Sequence, residues 1–167
     1  MIINLYHGTT AEGATNIIKN GIDIDANIHP GDFGKGFYLA PHMSQVQFHA
    51  TKRRHGKNKD HGVILHYEID SSVMYSLSLV EFKLKSYDWG EMIYQQRVLE
   101  KDTNDDIIIG PIADGSIPGI IESCRAGRIT KSDFIRAASM GTLGIQYVFK
   151  SVRAINELKL IDVIKEW

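Results

Sequence analysis

With 167 residues, 43% of them hydrophobic, the chain can bury a sizeable core and has the length of one ordinary domain, residues 1–167. Nineteen basic side chains against twenty acidic ones leave a formal charge of −1, which excludes a global field drawing the protein to nucleic acid or to an anionic membrane. The single cysteine, Cys124, excludes an internal disulfide framework and reads as a small buried hydrophobe suited to a reducing compartment.

The opening MIINLYHG has neither a basic n-region nor a long apolar h-region, and no apolar run reaches the length of a bilayer. The expected place of action is cytoplasmic, with secretion by a route that needs no N-terminal signal left open. In chain order, IINLYH reads as a first strand, after which Thr9 and Thr10 offer N-caps to a helix through AEGATNIIKN that Gly21 can close in the left-handed conformation. The glycine loop GDFGKG then leads into a short buried strand, GFYLA, and HMSQVQFHATKRR beyond it has helical character. HGVILHYEI is the clearest strand, with Val63, Leu65 and Tyr67 on one face and Ile64, His66 and Glu68 on the other. SLSLVEFKLK alternates from Leu77 to Leu84. YDWGEMIYQQRVLE reads as a helix despite Gly90, and DDIIIGPIA as a buried strand broken at Gly110-Pro111. Residues 117–140 form two helical pieces split near Gly127. GIQYVFKS and LKLIDVIKEW are the last two strands, joined by a turn or short helix at VRAINE. Strands with interspersed helices, without regular βαβ alternation, predict an α+β fold over a doubly wound sheet.

The glycine loop carries the first chemical signal. Gly31, Gly34 and Gly36 admit positive φ or the close approach of a ligand, and Lys35 adds a cation, a combination suited to phosphate. These glycines precede a strand and do not open a helix, so this is not the dinucleotide fingerprint of doubly wound folds. The P-loop spacing and its Lys-Ser/Thr ending are also missing. Asp32-Phe33-Gly34 occurs in protein kinases too, but the chain is too short for their fold and lacks their catalytic-loop triad. On local grounds alone, the simpler reading is a tight turn ahead of a strand.

The company the loop keeps changes that reading. LYHGT at 5–9, DFGKGFYLAP at 32–41 and GIQYVF at 144–149 stand in an order that resembles the ADP-ribosyltransferase superfamily. The likeness is to the diphtheria-toxin-like branch, with its His, Tyr, Glu signature on three separate strands, and within it to a bacterial domain family with a YHG start, a DFGKGFY core and an IIIGPIAD-type strand. It spans nearly the whole chain and is most specific in its middle motif. The resemblance implies split antiparallel β-sheets forming an NAD cleft, flanked by helices, with NAD as substrate and no metal. It implies transfer of ADP-ribose to an acceptor protein or nucleic acid, in a toxin or antiphage effector with an antitoxin or immunity partner. His7 would hydrogen-bond the adenosine ribose, and the Gly8 backbone would hold the nicotinamide carboxamide with Thr9 beside it. Tyr38 would stack on nicotinamide while Phe37 packs in the core. Phe48, or less favourably His49, would close the slot from the other side. Gly34, Lys35 and Gly36 would wrap the pyrophosphate side of NAD, and Asp32 would hold the loop by an Asx-type contact.

One departure stands out: where that branch carries a catalytic Glu, this chain has Gln146. A carboxylate there would stabilise the oxocarbenium character that develops as the glycosidic bond breaks, whereas Gln keeps a hydrogen bond without the charge. An NAD- or ADP-ribose-binding module without catalysis is therefore the alternative reading, and Gln146→Glu is the change expected to restore charge. Glu91, Asp88 and Asp114 are the other acids near pocket-forming segments, each also readable as surface or capping. The run TKRRHGKNK at 51–59 concentrates positive charge and could steer an acceptor, or simply end a helix favourably. His42, His49, His55, His61 and His66 make no recognised ligand spacing with cysteines, so no zinc site is expected.

Overall fold

The computed structural model describes residues 1–26, 30–47, 62–113, 115–141 and 144–165. Strand β1 (Ile2–Thr10) runs into helix α1 (Ala11–Asn20), and the loop that follows enters β2 (Phe37–Leu39). Helix α2 covers residues 43–47, after which come β3 (Gly62–Asp70), α3 (Ser71–Ser76), β4 (Leu79–Glu81) and α4 (Tyr87–Arg97). The chain continues through β5 (Ile107–Pro111), α5 (Ile117–Arg125), α6 (Lys131–Ala138), β6 (Ile145–Phe149), α7 (Val152–Ile155) and β7 (Lys159–Lys165).

These strands make an α+β fold with two mostly antiparallel sheets. One has the order β1-β3-β7 and the other β2-β6-β5-β4, in which only the β4–β5 pair is parallel. The period-two pattern of β3 decides how they stack. Val63, Leu65, Tyr67 and Ile69, with Leu5 of β1, meet Phe37, Leu39, Ile107, Ile109 and Phe149 of the other sheet in one buried core. The opposite face of the second sheet presents Ile108 and Val148 to Trp89, Ile93, Ile117, Ile121, Phe134 and Ile135 of α4, α5 and α6. Ile64, on the outer face of the first sheet, is covered by Val46 of α2. Among the described residues no helix is long and apolar enough to cross a membrane.

Several boundaries differ from the sequence expectation, each for a local reason. Thr10 alone caps α1, its Oγ1 accepting from Gly13 N at 3.0 Å, while Thr9 is buried in the strand with its hydroxyl against Gly13. Gly21 ends that helix at φ 86 but ψ 176, so the chain departs extended instead of turning back in the left-handed helical conformation. The alternation from Leu77 to Leu84 yields a strand only over Leu79–Glu81, because β4 is an edge paired with β5 through three residues and Ser76 belongs to α3. Conversely, β5 runs through Gly110-Pro111 without breaking. The β4 partner has ended at the level of Ile109, so no neighbour on that side needs the N–H that Pro111 lacks. Gly90 is tolerated inside α4 because a Cβ there would strike Ile135 of α6, and the glycine lets the two helices close up. The split of 117–140 falls where expected, with Gly127 at φ 71 and a Thr130/Asp133 capping box restarting the helix.

Candidate functional site

Among the described residues, one backbone rung joins the two sheets edge to edge. Tyr6 and Ala40 exchange both backbone hydrogen bonds at 2.9 Å, joining β1 to the end of β2. Continuing an antiparallel ladder by two residues would bring Gly8 N to Tyr38 O, but that rung is not made. Instead the His7 imidazole, lying 4.3 Å from the Phe37 ring, donates from Nδ1 to Tyr38 O at 2.8 Å. Since a carbonyl only accepts, the proton is on Nδ1. By strand alternation the N–H and C=O of Gly8 point the same way as those of Tyr6, into the gap, and no described residue pairs with them there. Gly8 itself is needed for another contact: a Cβ would stand 2.6 Å from Val46 O of α2.

The glycine loop is built around the Tyr38 side chain. The Tyr38 hydroxyl donates to Gly34 O at 2.6 Å and accepts from Phe33 N at 3.1 Å. Gly31 passes so close to the ring that a Cβ would overlap it, and Gly34 takes φ 76, a conformation open to glycine. Burial, and then the nearby Asp32 carboxylate, push the Tyr38 phenol well above its ordinary pKa. Phe33 is fully buried against Trp89 and Ile108, so the loop is nailed to the helical layer by its own side chain. From beneath, the Lys150 ammonium donates to Phe33 O at 2.6 Å and Lys35 O at 2.7 Å and pairs with Asp102 at 3.0 Å. That side chain is only 1% exposed; burial pulls its pKa down, and the Asp102 carboxylate works against that. The Gln96 amide closes the same frame once its orientation is assigned from its neighbours: its nitrogen then donates to Phe33 O at 2.9 Å and to Asp102 Oδ1 at 3.1 Å.

Gln146 and Asp32 meet. Gln146 Nε2 donates to Asp32 Oδ2 at 2.7 Å and lies 3.4 Å from Pro111 O, and Ala113 N donates to the same Asp32 oxygen at 2.8 Å. Asp32 therefore holds its loop through a tertiary contact across the second sheet, and the Asx-type local contact expected from the sequence is replaced by it. Gln146 is buried, and its amide nitrogen faces acceptors on two sides. A carboxylate at 146 would meet Asp32 and the Pro111 carbonyl with like polarity, so Gln146→Glu would add repulsion where a restored charge was expected.

The remaining candidates fall into two groups. Lys35 is exposed and paired with Asp25 at 3.2 Å, and Gly36, at φ 154, packs its backbone on Val148 and Phe149 O. Tyr38, Asp32, Gly34 and Gln146 are thus brought together, with His7 and Gly8 across the open rung; Thr9 packs on α1 and Lys35 faces outward. Glu91 is engaged by Lys131 and Gln95, whose hydrogen bonds hold its carboxyl below the usual range, and Asp88 sits in the exposed first turn of α4. Phe48, His49, His55, His61, Asp114 and the basic run 51–59 lie outside the described residues. Cys124 is a free, half-buried thiol packed at the edge of the helical core, and burial raises its pKa. Sequence reasoning missed Lys150, although period two was a signal: Gln146, Val148 and Lys150 continue one inward face of YVFK.

The fold and site together define an α+β protein whose two sheets, among the described residues, join edge to edge at the Tyr6–Ala40 rung, with a polar, glycine-rich loop fastened over the second sheet. The chain belongs to the DUF3990 family of proteins of unknown function, whose profile matches residues 3–160. None of the curated proteins matches it.

Proposed function

We propose that this protein is an NAD-dependent ADP-ribosyltransferase with an ADP-ribosyltransferase-like fold, cleaving the nicotinamide–ribose bond and transferring ADP-ribose to a nucleophile on a protein or nucleic acid. The observation that carries this reading is the open rung between β1 and β2. A primary carboxamide offers one carbonyl acceptor and an NH2 donor in a plane, which matches the outward N–H and C=O of Gly8. The Tyr38 side chain, partly exposed and packed against the helical layer on the face of β2 opposite Phe37, would offer a rigid aromatic surface to a pyridinium. His7 is fixed at the rung by its Nδ1 bond to Tyr38 O, where its ring would lie against a ribose of NAD.

In the reaction the C1′–N bond breaks and its electron pair leaves with nicotinamide. The ribosyl cation is captured by the acceptor, whose proton passes to solvent or to a carboxylate. A module that binds NAD without cleaving it is the second reading, favoured by the neutral amide at Gln146. The test is calorimetric titration with NAD together with chromatographic detection of released nicotinamide, on the wild type and His7→Ala. His7→Ala frees Tyr38 O to pair with Gly8 N and close the rung, so NAD affinity should fall about tenfold or more, the loss of one to two hydrogen bonds. Saturable binding without release selects the binding module. No saturable binding to the wild type sinks both readings.

A further inference from the structure

We propose that Asp32, carried on the glycine loop, supplies the catalytic carboxylate, and that Gln146 is a positioning residue that aims it. The proposal rests on the NAD reading above and removes the difficulty that Gln146 poses for it. Asp32 Oδ2 is held by two donors from different parts of the second sheet, Gln146 Nε2 at 2.7 Å and Ala113 N at 2.8 Å. Among the described residues Oδ1 takes no hydrogen bond, and Asp32 is only partly buried, so one oxygen is fixed and the other is available to a ligand. The loop that carries it is itself rigid: Phe33 is fully buried, and the Tyr38 hydroxyl and Lys150 ammonium hold the backbone on both sides of it. A negative charge preorganised in this way costs little reorganisation when positive charge develops on the ribose. It also lies close enough to Tyr38 for its charge to bear on the phenol, beside the surface on which a nicotinamide would stack.

The identity of residue 146 follows from the same geometry. With a carboxylate on one side and the Pro111 carbonyl on the other, this position requires a donor, and an amide supplies one without adding charge. The carboxylate has moved from the strand to the loop facing it. In the step itself, the C1′–N bond of NAD breaks and nicotinamide departs neutral with the electron pair. Asp32 stabilises the oxocarbenium ion through a ribose hydroxyl, and the acceptor's proton is accepted by Asp32 or by water as the new C1′ bond forms.

Asp32→Asn is the decisive variant, because the amide oxygen can still accept from both Gln146 and Ala113 N while the charge is lost. NAD affinity by calorimetry, nicotinamide release and thermal midpoint are measured on the wild type, Asp32→Asn and Gln146→Glu. Asp32→Asn should bind NAD within about threefold of wild type and lose about 100-fold or more in release, the scale for removing one preorganised electrostatic group. Gln146→Glu should release nicotinamide more slowly than wild type, because the second carboxylate displaces the first. Release by Asp32→Asn at the wild-type rate, or losses of binding and release in equal proportion, overturns the assignment while leaving the NAD reading standing. A Gln146→Glu rate above wild type also overturns it, and this outcome decides alone should Asp32→Asn not fold. A wild type that neither binds nor cleaves NAD overturns the parent reading and the proposal with it.

Discussion

Tyr38→Phe removes one oxygen, and the architecture of the loop makes that oxygen matter. For NAD binding, the sequence predicts that only the ring face counts and that this substitution is nearly silent; the stability of the loop is a separate matter. The hydroxyl, however, satisfies Phe33 N and Gly34 O at once, in a loop where both residues are buried. Leaving a buried backbone group unsatisfied costs about 1–3 kcal/mol, and partial relaxation of the loop offsets some of the sum for two. The expected loss is about 2 kcal/mol, or a fall in Tm of about 4–8 °C for a domain of this size. Urea unfolding followed by the fluorescence of the fully buried Trp89 measures it. There is also a pH signature. Because burial raises the folded-state pKa of the phenol, its contribution is complete below the unfolded value of about 10 and is lost as pH rises through the higher folded value. Tyr38→Phe should therefore flatten the alkaline limb of the stability profile. A change under about 0.5 kcal/mol with an unaltered alkaline limb would refute the claim that the hydroxyl frames the loop.

Lys150→Met keeps the length of the buried stem and withdraws the ammonium from Phe33 O and Lys35 O; a loss of about 2 kcal/mol is expected. It should be accompanied by faster proteolysis within residues 31–36, and unchanged cleavage kinetics would show that the loop stands without it. Asp106 is 4% exposed, accepts from Ser151 Oγ at 2.6 Å and Ser78 N at 3.0 Å, and pairs with Arg153, whose hydrogen bond is the largest cause of its lowered pKa. Its contribution is complete above the unfolded value of about 3.9 and disappears as pH falls through the lower folded value. Asp106→Asn should thus cost about 1–3 kcal/mol at neutral pH and flatten the acid limb of the urea midpoint, an effect absent if the carboxylate carries no folded-state stabilisation.

Local pattern was enough for much of this protein. The period-two run of HGVILHYEI determined a strand and the division of its residues between two faces, whereas the burial of Ile64 on the outer face was decided by the packing of α2 over it. The cap at Thr10 and the break at Gly127 are also short-range matters of backbone hydrogen bonding and φ, and they fall where the sequence predicts them. The α+β class followed from the order of such elements. What residues distant in the chain do to one another was decided only by the tertiary structure. Nothing local to Asp32 or Gln146 announces that residues 114 apart share a 2.7 Å hydrogen bond, or that a lysine after the last residue of β6 props up the loop from beneath. Nor does LYHGT by itself say that His7 will take the carbonyl that would have closed a rung. The cause in each case is the same: a buried polar group must find a partner wherever packing puts one, and packing here is set by two sheets and a helical layer that come together only in three dimensions.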